Sequence, residues 1–185
     1  MGHVLLGVSG SVAAYKAIDL AHRLTRAGWA VDVVLTAAAR RFVTDLAFQS
    51  LTGRRVHSDQ FERGDPAQIE HIELARRADL ALLAPATADL IGQLAHGLAP
   101  DLLTSAMLAW RGRPVLLAPA MNTAMWENPL VQANLRRLTD LGYQLIEPRV
   151  AQLACGETGP GALADLDQIM ARVEALSGPR EGSGD

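Results

Sequence analysis

The sequence predicts one α/β domain in which helices flank a parallel sheet. Five short, mostly apolar runs lack the polar alternation of half-exposed strands, which is typical of strands buried on both faces. Segments with helical spacing of apolar residues lie between these runs, as expected for strand–helix–strand units. The runs cover residues 3–8, 30–35, 80–84, 115–118 and 143–146.

The composition is that of an ordinary globular protein and excludes several partners. Apolar residues make up 49% and charged residues 20% of the 185 residues, which is enough for one buried core. The 17 Lys and Arg are scattered among 20 Asp and Glu, so nucleic acid is not an expected partner. We expect a cytoplasmic protein without a membrane span, because no apolar run reaches roughly 18 residues and the first residues lack signal-peptide features. The single Cys155 excludes an internal disulfide and a cysteine-based zinc cluster, and no metal site is expected.

A Gly/Ser turn joins the first strand to the first helix. Ser9, Gly10 and Ser11 follow the first run, and helical spacing covers residues 12–27. The N–H groups of such a turn and the helix dipole converge on one point, so the pattern is typical of an anion site. The spacing differs from the dinucleotide pattern G-x-G-x-x-G, and the second strand ends in Thr36 rather than in an acid for a ribose hydroxyl. Hydroxyls at both strand ends favour a single terminal phosphate, such as that of FMN, over NAD.

Three further predictions concern the chain between and beyond these motifs. Residues 36–51 are expected to be helical in two pieces, with Phe42 among their apolar residues. Residues 56–66 are polar and contain Gly and Pro, so we expect an exposed excursion rather than a domain boundary. One domain therefore covers residues 1–176, and the polar tail at 177–185 is expected to be disordered.

The loop at residues 119–129 is the strongest candidate for a binding site. It follows the fourth apolar run, which places it at the carboxyl end of a strand, where open α/β sheets bind ligands. It contains Met121, Asn122, Met125 and Trp126, whereas a loop that only turned the chain would be rich in Gly, Ser and Asp. A hydrophobic loop packed into the core is the alternative interpretation.

Four motifs, in order along the chain, resemble those of the homo-oligomeric flavin-containing cysteine decarboxylases. The motifs are His71-Ile-x-Leu-x-x-x-Ala-Asp79, Ala84-Pro-Ala-Thr-Ala88, Pro119-x-Met-Asn-x-x-Met-Trp126 and Leu153-Ala-Cys-Gly156. The resemblance covers residues 3–176 and implies a Rossmann-like (flavodoxin-like) domain.

The resemblance also implies a role for individual residues. His71 would be catalytic, because an imidazole takes or returns a proton at neutral pH without large tuning. Asn122 would hold the substrate carboxylate and Met125 would pack on the substrate. Cys155 would deliver a proton from a glycine-rich flap at residues 148–164. The implied flavin contacts are Ser9, Gly10, Ser11, Thr36, Phe42, Thr87, Ala88, Asp89, Leu90 and Ala120.

Two positions depart from the family pattern. Asp89 stands where the family usually has Asn, so a side chain that can only accept hydrogen bonds replaces one that can also donate. Gly161-Ala162-Leu163 stands where many bacterial members have Gly-Arg-Met, so an arginine contact of the flap is expected to be missing.

The implied reaction is FMN-dependent decarboxylation of 4'-phosphopantothenoylcysteine to 4'-phosphopantetheine in coenzyme A biosynthesis. A cysteine amide carboxylate has no electron sink, and FMN would create one by oxidising the thiol carbon to a thioaldehyde. Loss of CO2 would give an enethiolate, which the reduced flavin and Cys155 would convert to product. The cycle is redox-neutral, so no NAD(P)H is expected.

The resemblance implies partners as well, and alternatives stay open. We expect a homotrimer or homododecamer with its site between subunits, and a phosphopantothenate–cysteine ligase that is either a separate protein or a removed domain. The alternatives are a peptidyl-cysteine decarboxylase, which shares the Asn/Met motif, a flavin prenyltransferase, which lacks it, and a non-catalytic flavin-binding regulatory subunit. Retention of His71, Asn122 and Cys155 argues against the last.

Overall fold

The computed structural model describes residues 2–59, 69–153 and 156–176, and its main feature is a six-stranded parallel sheet. The strands of this sheet are β1 (His3–Val8), β2 (Ala30–Leu35), β3 (Val56–His57), β4 (Leu80–Ala86), β5 (Val115–Pro119) and β6 (Tyr143–Leu145). Their order is β3-β2-β1-β4-β5-β6, so the direction of winding reverses between β1 and β4. In open α/β sheets, ligands bind at this point of reversal, outside the carboxyl ends of the strands.

Helices cover both faces of the sheet. The α-helices are α1 (Ala14–Arg26), α2 (Asp45–Thr52), α3 (Glu70–Arg77), α4 (Ala88–Ala95), α5 (Leu102–Leu108), α6 (Thr123–Trp126), α7 (Pro129–Asp140) and α8 (Leu166–Leu176). One apolar cluster contains buried residues of α1, α2 and α8, and a second contains those of α3, α4, α5 and α7. In β1, Leu6 belongs to the first cluster and Leu5 to the second, because successive side chains of a strand face opposite sides. The predicted parallel sheet flanked by helices is therefore confirmed.

The prediction of an exposed excursion at residues 56–66 is wrong at its start. Val56 and His57 are buried and form the edge strand β3, where Val56 pairs in parallel with Val33. A strand of two residues is too short to show a periodic pattern, and the polar residues around it favour a loop. Residues 60–66 lie outside the described residues.

The loop predicted at residues 148–164 contains regular structure. Strands β7 (Arg149–Gln152) and β8 (Thr158–Ala162) form an antiparallel hairpin that is separate from the main sheet. The sequence of β8, Thr-Gly-Pro-Gly-Ala, has low strand propensity, so its conformation depends on pairing and packing rather than on local preference. Cys155 and the tail at residues 177–185 lie outside the described residues.

Membrane-spanning helices are absent from the part of the chain that the structure describes. No helix within residues 2–59, 69–153 and 156–176 is both long enough and apolar enough to cross a bilayer.

Candidate active site at the carboxyl edge of the sheet

Two cavities meet at the turn that follows β1. The larger cavity has a volume of 560 Å³ and the smaller one 440 Å³, and both are lined by Gly10, Thr87 and Met125. These volumes lie in the range of small-molecule and cofactor sites. Predicted site residues that line only the larger cavity are Ser11, Ala88, Ala120 and Asn122. Those that line only the smaller cavity are Ser9, Thr36, Asp89 and Leu90.

Ser9 connects the ends of β1 and β4. Its buried hydroxyl donates to the carbonyl of Pro85 at 2.7 Å and accepts the N–H of Thr87 at 2.9 Å. The single hydroxyl proton is therefore committed to Pro85, and only a lone pair is left for a ligand. Ser9 shapes the cavity, and an anion bound at this turn needs its donors from neighbouring groups.

Gly10 allows the turns after β1 and β2 to touch. A Cβ atom on Gly10 would lie 2.4 Å from the Cβ of Ala38, so only glycine fits. The contact brings Thr36 to the same cavity as Gly10. The hydroxyls of Ser11 and Thr36 accept the N–H groups of Ala13 and Ala39, each at 3.1 Å. Both hydroxyls keep their own proton, which they can donate to an anion.

The beginning of α4 lines the cavities with one hydroxyl and one carboxylate. Thr87 is the N-cap of α4, and its side chain accepts the N–H of Leu90 at 3.3 Å. Asp89 is exposed and accepts from the Gln93 amide at 2.9 Å. Leu90 lines the smaller cavity but is otherwise buried in the core. A carboxylate at position 89 suits an N–H group of a ligand, since it can only accept.

Asn122 presents the donor side of its amide to its surroundings. It is the N-cap of α6, and its Oδ1 accepts the backbone N–H of Ala124 at 2.8 Å. This bond fixes the orientation of the amide, so the NH2 group is the part left to interact. Nδ2 donates to Oε2 of Glu157 at 3.4 Å. Met125, one turn further along α6, is largely exposed and lines both cavities.

The β7–β8 hairpin forms a wall of the larger cavity and is attached to α6. Thr123 donates its hydroxyl proton to the carbonyl of Pro160, and the N–H of Met121 donates to the carbonyl of Gly161, both at 2.9 Å. Gly161 has φ +127° and lies so close that a Cβ atom would be 2.4 Å from the carbonyl oxygen of Met121. Only glycine combines this conformation with this approach. The glycine-rich sequence therefore serves close packing of the hairpin.

Two cations in the larger cavity were not predicted from the sequence. Lys16 and Arg149 both line it. Arg149 is the register partner of Ala162, the position at which we expected the family's arginine contact to be missing. The hairpin therefore does carry a cation, on the opposite strand. Arg149 also donates to the carbonyl of Leu163 at 3.3 Å and lies 3.4 Å from Asp165. Burial, and then the positive charge of Arg149, lowers the pKa of the Lys16 ammonium.

The sequence contains a signal for each of these cations, but the signal for Arg149 can be recognised only when the strand pairing of the hairpin is known. Lys16 lies within the first turns of the helix that follows the Gly/Ser turn, at the same end as the predicted anion site. Arg149 becomes a candidate only when the antiparallel register of the hairpin is known.

His71 and Phe42 do not line either of these two cavities. His71 is the second residue of α3 and is partly buried. Because α3 precedes β4 and runs antiparallel to it, the first residues of α3 lie toward the carboxyl edge of the sheet. Phe42 follows the 3-10 turn after β2, and its side chain is 54% exposed. Their predicted roles, like that of Cys155 outside the described residues, stay predictions.

Helix α3 is anchored at both ends by charged groups. At its first residue, Glu70 Oε1 lies 2.5 Å from Nδ1 of His57. At its last turn, the Arg113 guanidinium donates to the carbonyls of Ala75, Arg76 and Ala78. Such bonds satisfy carbonyls that have no partner within the helix. The position of His71 therefore depends on contacts at both ends of its helix.

A second cluster of charges lies at the opposite edge of the sheet and was not predicted. Asp32 in β2 is buried, and its carboxylate contacts Nε2 of His3 at 2.7 Å, Nε of Arg54 at 2.8 Å and the guanidinium of Arg77. Burial alone would raise the pKa of the Asp32 carboxyl, but the hydrogen bonds from His3 and Arg54 and the charge of Arg77 hold it well below its usual range. In the sequence, Asp32 is one acid within an apolar run, which is a weak sign of a buried ion pair.

The fold and the cavities together define a class of protein. An open parallel sheet with donor hydroxyls at two strand ends, and with an amide and cations nearby, is typical of proteins that bind small anionic ligands at the switch point of their strands. The chain belongs to the flavoprotein family, and the match covers residues 1–178.

Individual relatives agree with this assignment. The chain is 49% identical over 172 residues to a probable phosphopantothenoylcysteine decarboxylase of Streptococcus mutans. The matched region covers 92% of this chain and 96% of the relative. It also matches the coenzyme A biosynthesis bifunctional protein CoaBC of Vibrio cholerae at 44% identity over 177 residues. That match covers 96% of this chain but only 44% of the bifunctional protein.

Solved structures share the whole fold. A mutant PPC decarboxylase in complex with pantothenoylaminoethenethiol superimposes with a TM-score of 0.86 at 36% identity, covering 94% of this chain and 97% of the other. The FMN binding protein AtHal3 gives a TM-score of 0.83 at 36% identity, with 95% and 96% covered.

Proposed function

We propose that this chain is an FMN-dependent decarboxylase that converts 4'-phosphopantothenoylcysteine into 4'-phosphopantetheine. Family membership and the similarity to a phosphopantothenoylcysteine decarboxylase over nearly the whole of both chains support the proposal. The observation that carries it is the fixed orientation of Asn122, which presents amide donors at a cavity of suitable size. A carboxylate is the group that such donors bind best.

The residues around the smaller cavity fit a flavin mononucleotide. Thr36 supplies a hydroxyl proton, Ser11 supplies a second one from the adjoining larger cavity, and Gly10 lets the backbone approach, which suits a terminal phosphate. Leu90 and Met125 supply apolar surface for a flat ring, and Asp89 can accept from a ring N–H. When bound, FMN would supply reversible two-electron chemistry at the substrate's thiol carbon, which would create an electron sink for the pair that remains when CO2 is lost.

The larger cavity offers complementary groups to both ends of the substrate. Asn122 would hold the carboxylate through its NH2 group, and Met125 would pack against the chain beside it. Lys16 and Arg149 line the same cavity and supply positive charge for the phosphate of the substrate. A ligand with two anionic groups fits this distribution of donors better than a neutral one.

His71 and Cys155 complete the proposal as proton-transfer groups. An imidazole can take up or return a proton at the reacting end, and a thiol can deliver a proton to the intermediate that remains after loss of CO2. The enethiol ligand named for the mutant PPC decarboxylase is the kind of intermediate that such a protonation would consume. We expect Cys155→Ser to release CO2 but to form little phosphopantetheine, because a hydroxyl is a far weaker acid than a thiol.

Subunit assembly is part of the proposal. His71 lies outside the two cavities, and large apolar side chains are exposed toward the same edge of the sheet. These side chains include Val12, Phe42, Leu46, Met125 and Leu130. Exposed apolar surface of this kind is typical of protein interfaces. We propose a homotrimer or a multiple of it, in which a second copy brings His71 to the cavity. We also propose a phosphopantothenate–cysteine ligase, either as a separate protein or as a further domain, as the source of substrate.

The central experiment combines absorption spectroscopy with product analysis. The purified protein is incubated with FMN, passed through a desalting column and examined for a flavin spectrum. It is then mixed with 4'-phosphopantothenoylcysteine, and CO2 and phosphopantetheine are measured separately. Retained flavin with both products in equal amounts supports the proposal, whereas a colourless protein without turnover contradicts it.

Light scattering tests the assembly. We expect a particle mass that is a multiple of three chains at micromolar concentration. A monomer that still turns over substrate would show that His71 acts within one chain or does not act.

A further inference from the structure

A carboxylate of the protein itself already occupies the amide of Asn122. Oδ1 of Asn122 is held by the N–H of Ala124, so the NH2 group alone can meet a carboxylate. Oε2 of Glu157 accepts from this NH2 group at 3.4 Å. The group that the proposed function assigns to the substrate's carboxylate is thus in contact with another carboxylate.

The backbone of Glu157 is held in this place by the hairpin. Its carbonyl accepts the N–H of Leu153 at 2.8 Å, and β8 follows directly with its attachments to α6. Thr123 and Met121 make these attachments, through the carbonyls of Pro160 and Gly161. The side chain of Glu157 is exposed, and its bond to Asn122 is long. A long, solvent-exposed hydrogen bond is weak and readily exchanged for another.

We propose that Glu157 sets the affinity for the substrate's carboxylate by competing with it for the Asn122 amide. The inference rests on the proposed function, because it takes Asn122 as the carboxylate site. A second carboxylate at this amide must displace Glu157 and remain near its negative charge, which disfavours binding. The product has no carboxylate, so Glu157 keeps its bond to Asn122 when the product is bound. Glu157 therefore weakens binding of the substrate and leaves binding of the product unchanged.

The test compares two ligands that differ in the carboxylate. The first is the serine analogue of 4'-phosphopantothenoylcysteine, which keeps the carboxylate but has no thiol to react. The second is 4'-phosphopantetheine, which has no carboxylate. Dissociation constants for the FMN-loaded protein are measured by calorimetry for the wild type and for Glu157→Gln. Gln can still accept from Asn122 through its carbonyl oxygen, so the variant removes the charge and keeps the contact.

We expect Glu157→Gln to bind the serine analogue about fivefold more tightly, as estimated for removal of a like charge near 4 Å in water. Binding of 4'-phosphopantetheine should stay within about twofold. Glu127→Gln is the matched control, because Glu127 is an exposed carboxylate at the end of α6. This control should change neither constant.

Each other outcome overturns the inference. Equal changes for both ligands would mean that Glu157 supports the hairpin and does not act on the carboxylate. Unchanged or weaker binding of the serine analogue would mean that the two carboxylates do not compete. If the wild type binds the analogue and turns over substrate in these cases, the proposed function survives and only the role of Glu157 fails. If the wild type binds neither ligand, the proposed function fails and the inference fails with it.

Discussion

The two edges of the sheet use charged groups in opposite ways. At the amino ends of the strands, Asp32 is buried and contacts His3, Arg54 and Arg77. At the carboxyl ends, Lys16 and Arg149 line a cavity of 560 Å³. The charges of the first cluster face one another, while Lys16 and Arg149 both face a cavity.

The difference follows from the connections of the fold. Helices α2 and α3 end at the amino edge, so Arg54 and Arg77 arrive there just before β3 and β4 begin. The loops at the carboxyl edge begin at strand ends and reach outward, which leaves room between them. Charges that are paired in a buried place contribute to stability only as long as every partner is present. Charges at a cavity contribute to binding, and their removal should leave stability largely unchanged.

The largest effect is expected for Asn122→Asp. Asp is as good an N-cap as Asn, so α6 and the fold should persist. The new carboxylate faces that of the substrate, and like charges about 4 Å apart near a protein surface repel by about 4 kcal/mol, or about 1000-fold in kcat/KM. Steady-state decarboxylation and thermal unfolding are the measurements.

Asn128→Asp is the matched control for this change. Asn128 is the N-cap of α7, and its Oδ1 accepts the N–H of Leu130 at 2.9 Å. The same chemical change at this exposed position should leave kcat/KM unaltered. Comparable losses in the two variants would contradict a direct role of Asn122.

Asp32→Asn should lower stability and spare the site. The amide leaves Arg54 and Arg77 without their buried partner, which costs about 3 kcal/mol in the free energy of unfolding. Urea unfolding at one fixed protein concentration measures the change. Asp19→Asn is the control, since Asp19 forms an exposed pair with Arg23. A loss of activity per folded molecule in Asp32→Asn would show that the two edges are coupled.

Acid should reduce the difference between the wild type and Asp32→Asn. The folded-state pKa of Asp32 is depressed, so the carboxylate contributes its full stability above the unfolded-state pKa of about 4. That contribution is lost as the pH falls from about 4 through the folded-state pKa. We therefore expect a constant difference in unfolding free energy from pH 7 to about 4, followed by a decline. A difference that already shrinks near neutral pH would place its source in a group other than Asp32.

The smallest effect is expected for Arg149→Ala. Its partly exposed charge is screened by solvent, so binding of a phosphorylated ligand should weaken only about fivefold. The dephosphorylated ligand should bind as before, because it lacks the group that Arg149 faces. Arg136→Ala on the exposed face of α7 is the control. Equal weakening for both ligands would indicate that Arg149 supports the hairpin through Leu163 and Asp165.

Much of the fold could be predicted from local patterns. The runs at 3–8 and 30–35 agree residue for residue with β1 and β2, because strands buried on both faces are mostly apolar and lack polar alternation. The helix that begins at Pro129 was also visible, since Pro at the first position and apolar spacing are local signals. The edge strand β3 and the β7–β8 hairpin were missed, because short or glycine-rich strands depend on the partner with which they pair.

The sequence alone determined which chemical groups are available, and the tertiary structure decided where they point. The motif around Asn122 identified an amide near the end of a strand, and its resemblance to known decarboxylases supplied a role. Which side of that amide is left to face the cavity depends on the N-cap bond to Ala124. Three contacts join residues that are distant in sequence or that pair across strands. They are the pairing of Arg149 with Ala162, the contact of Glu157 with Asn122 and the cluster around Asp32. Such contacts leave no periodic pattern, because they form only when the strands and helices are packed against one another.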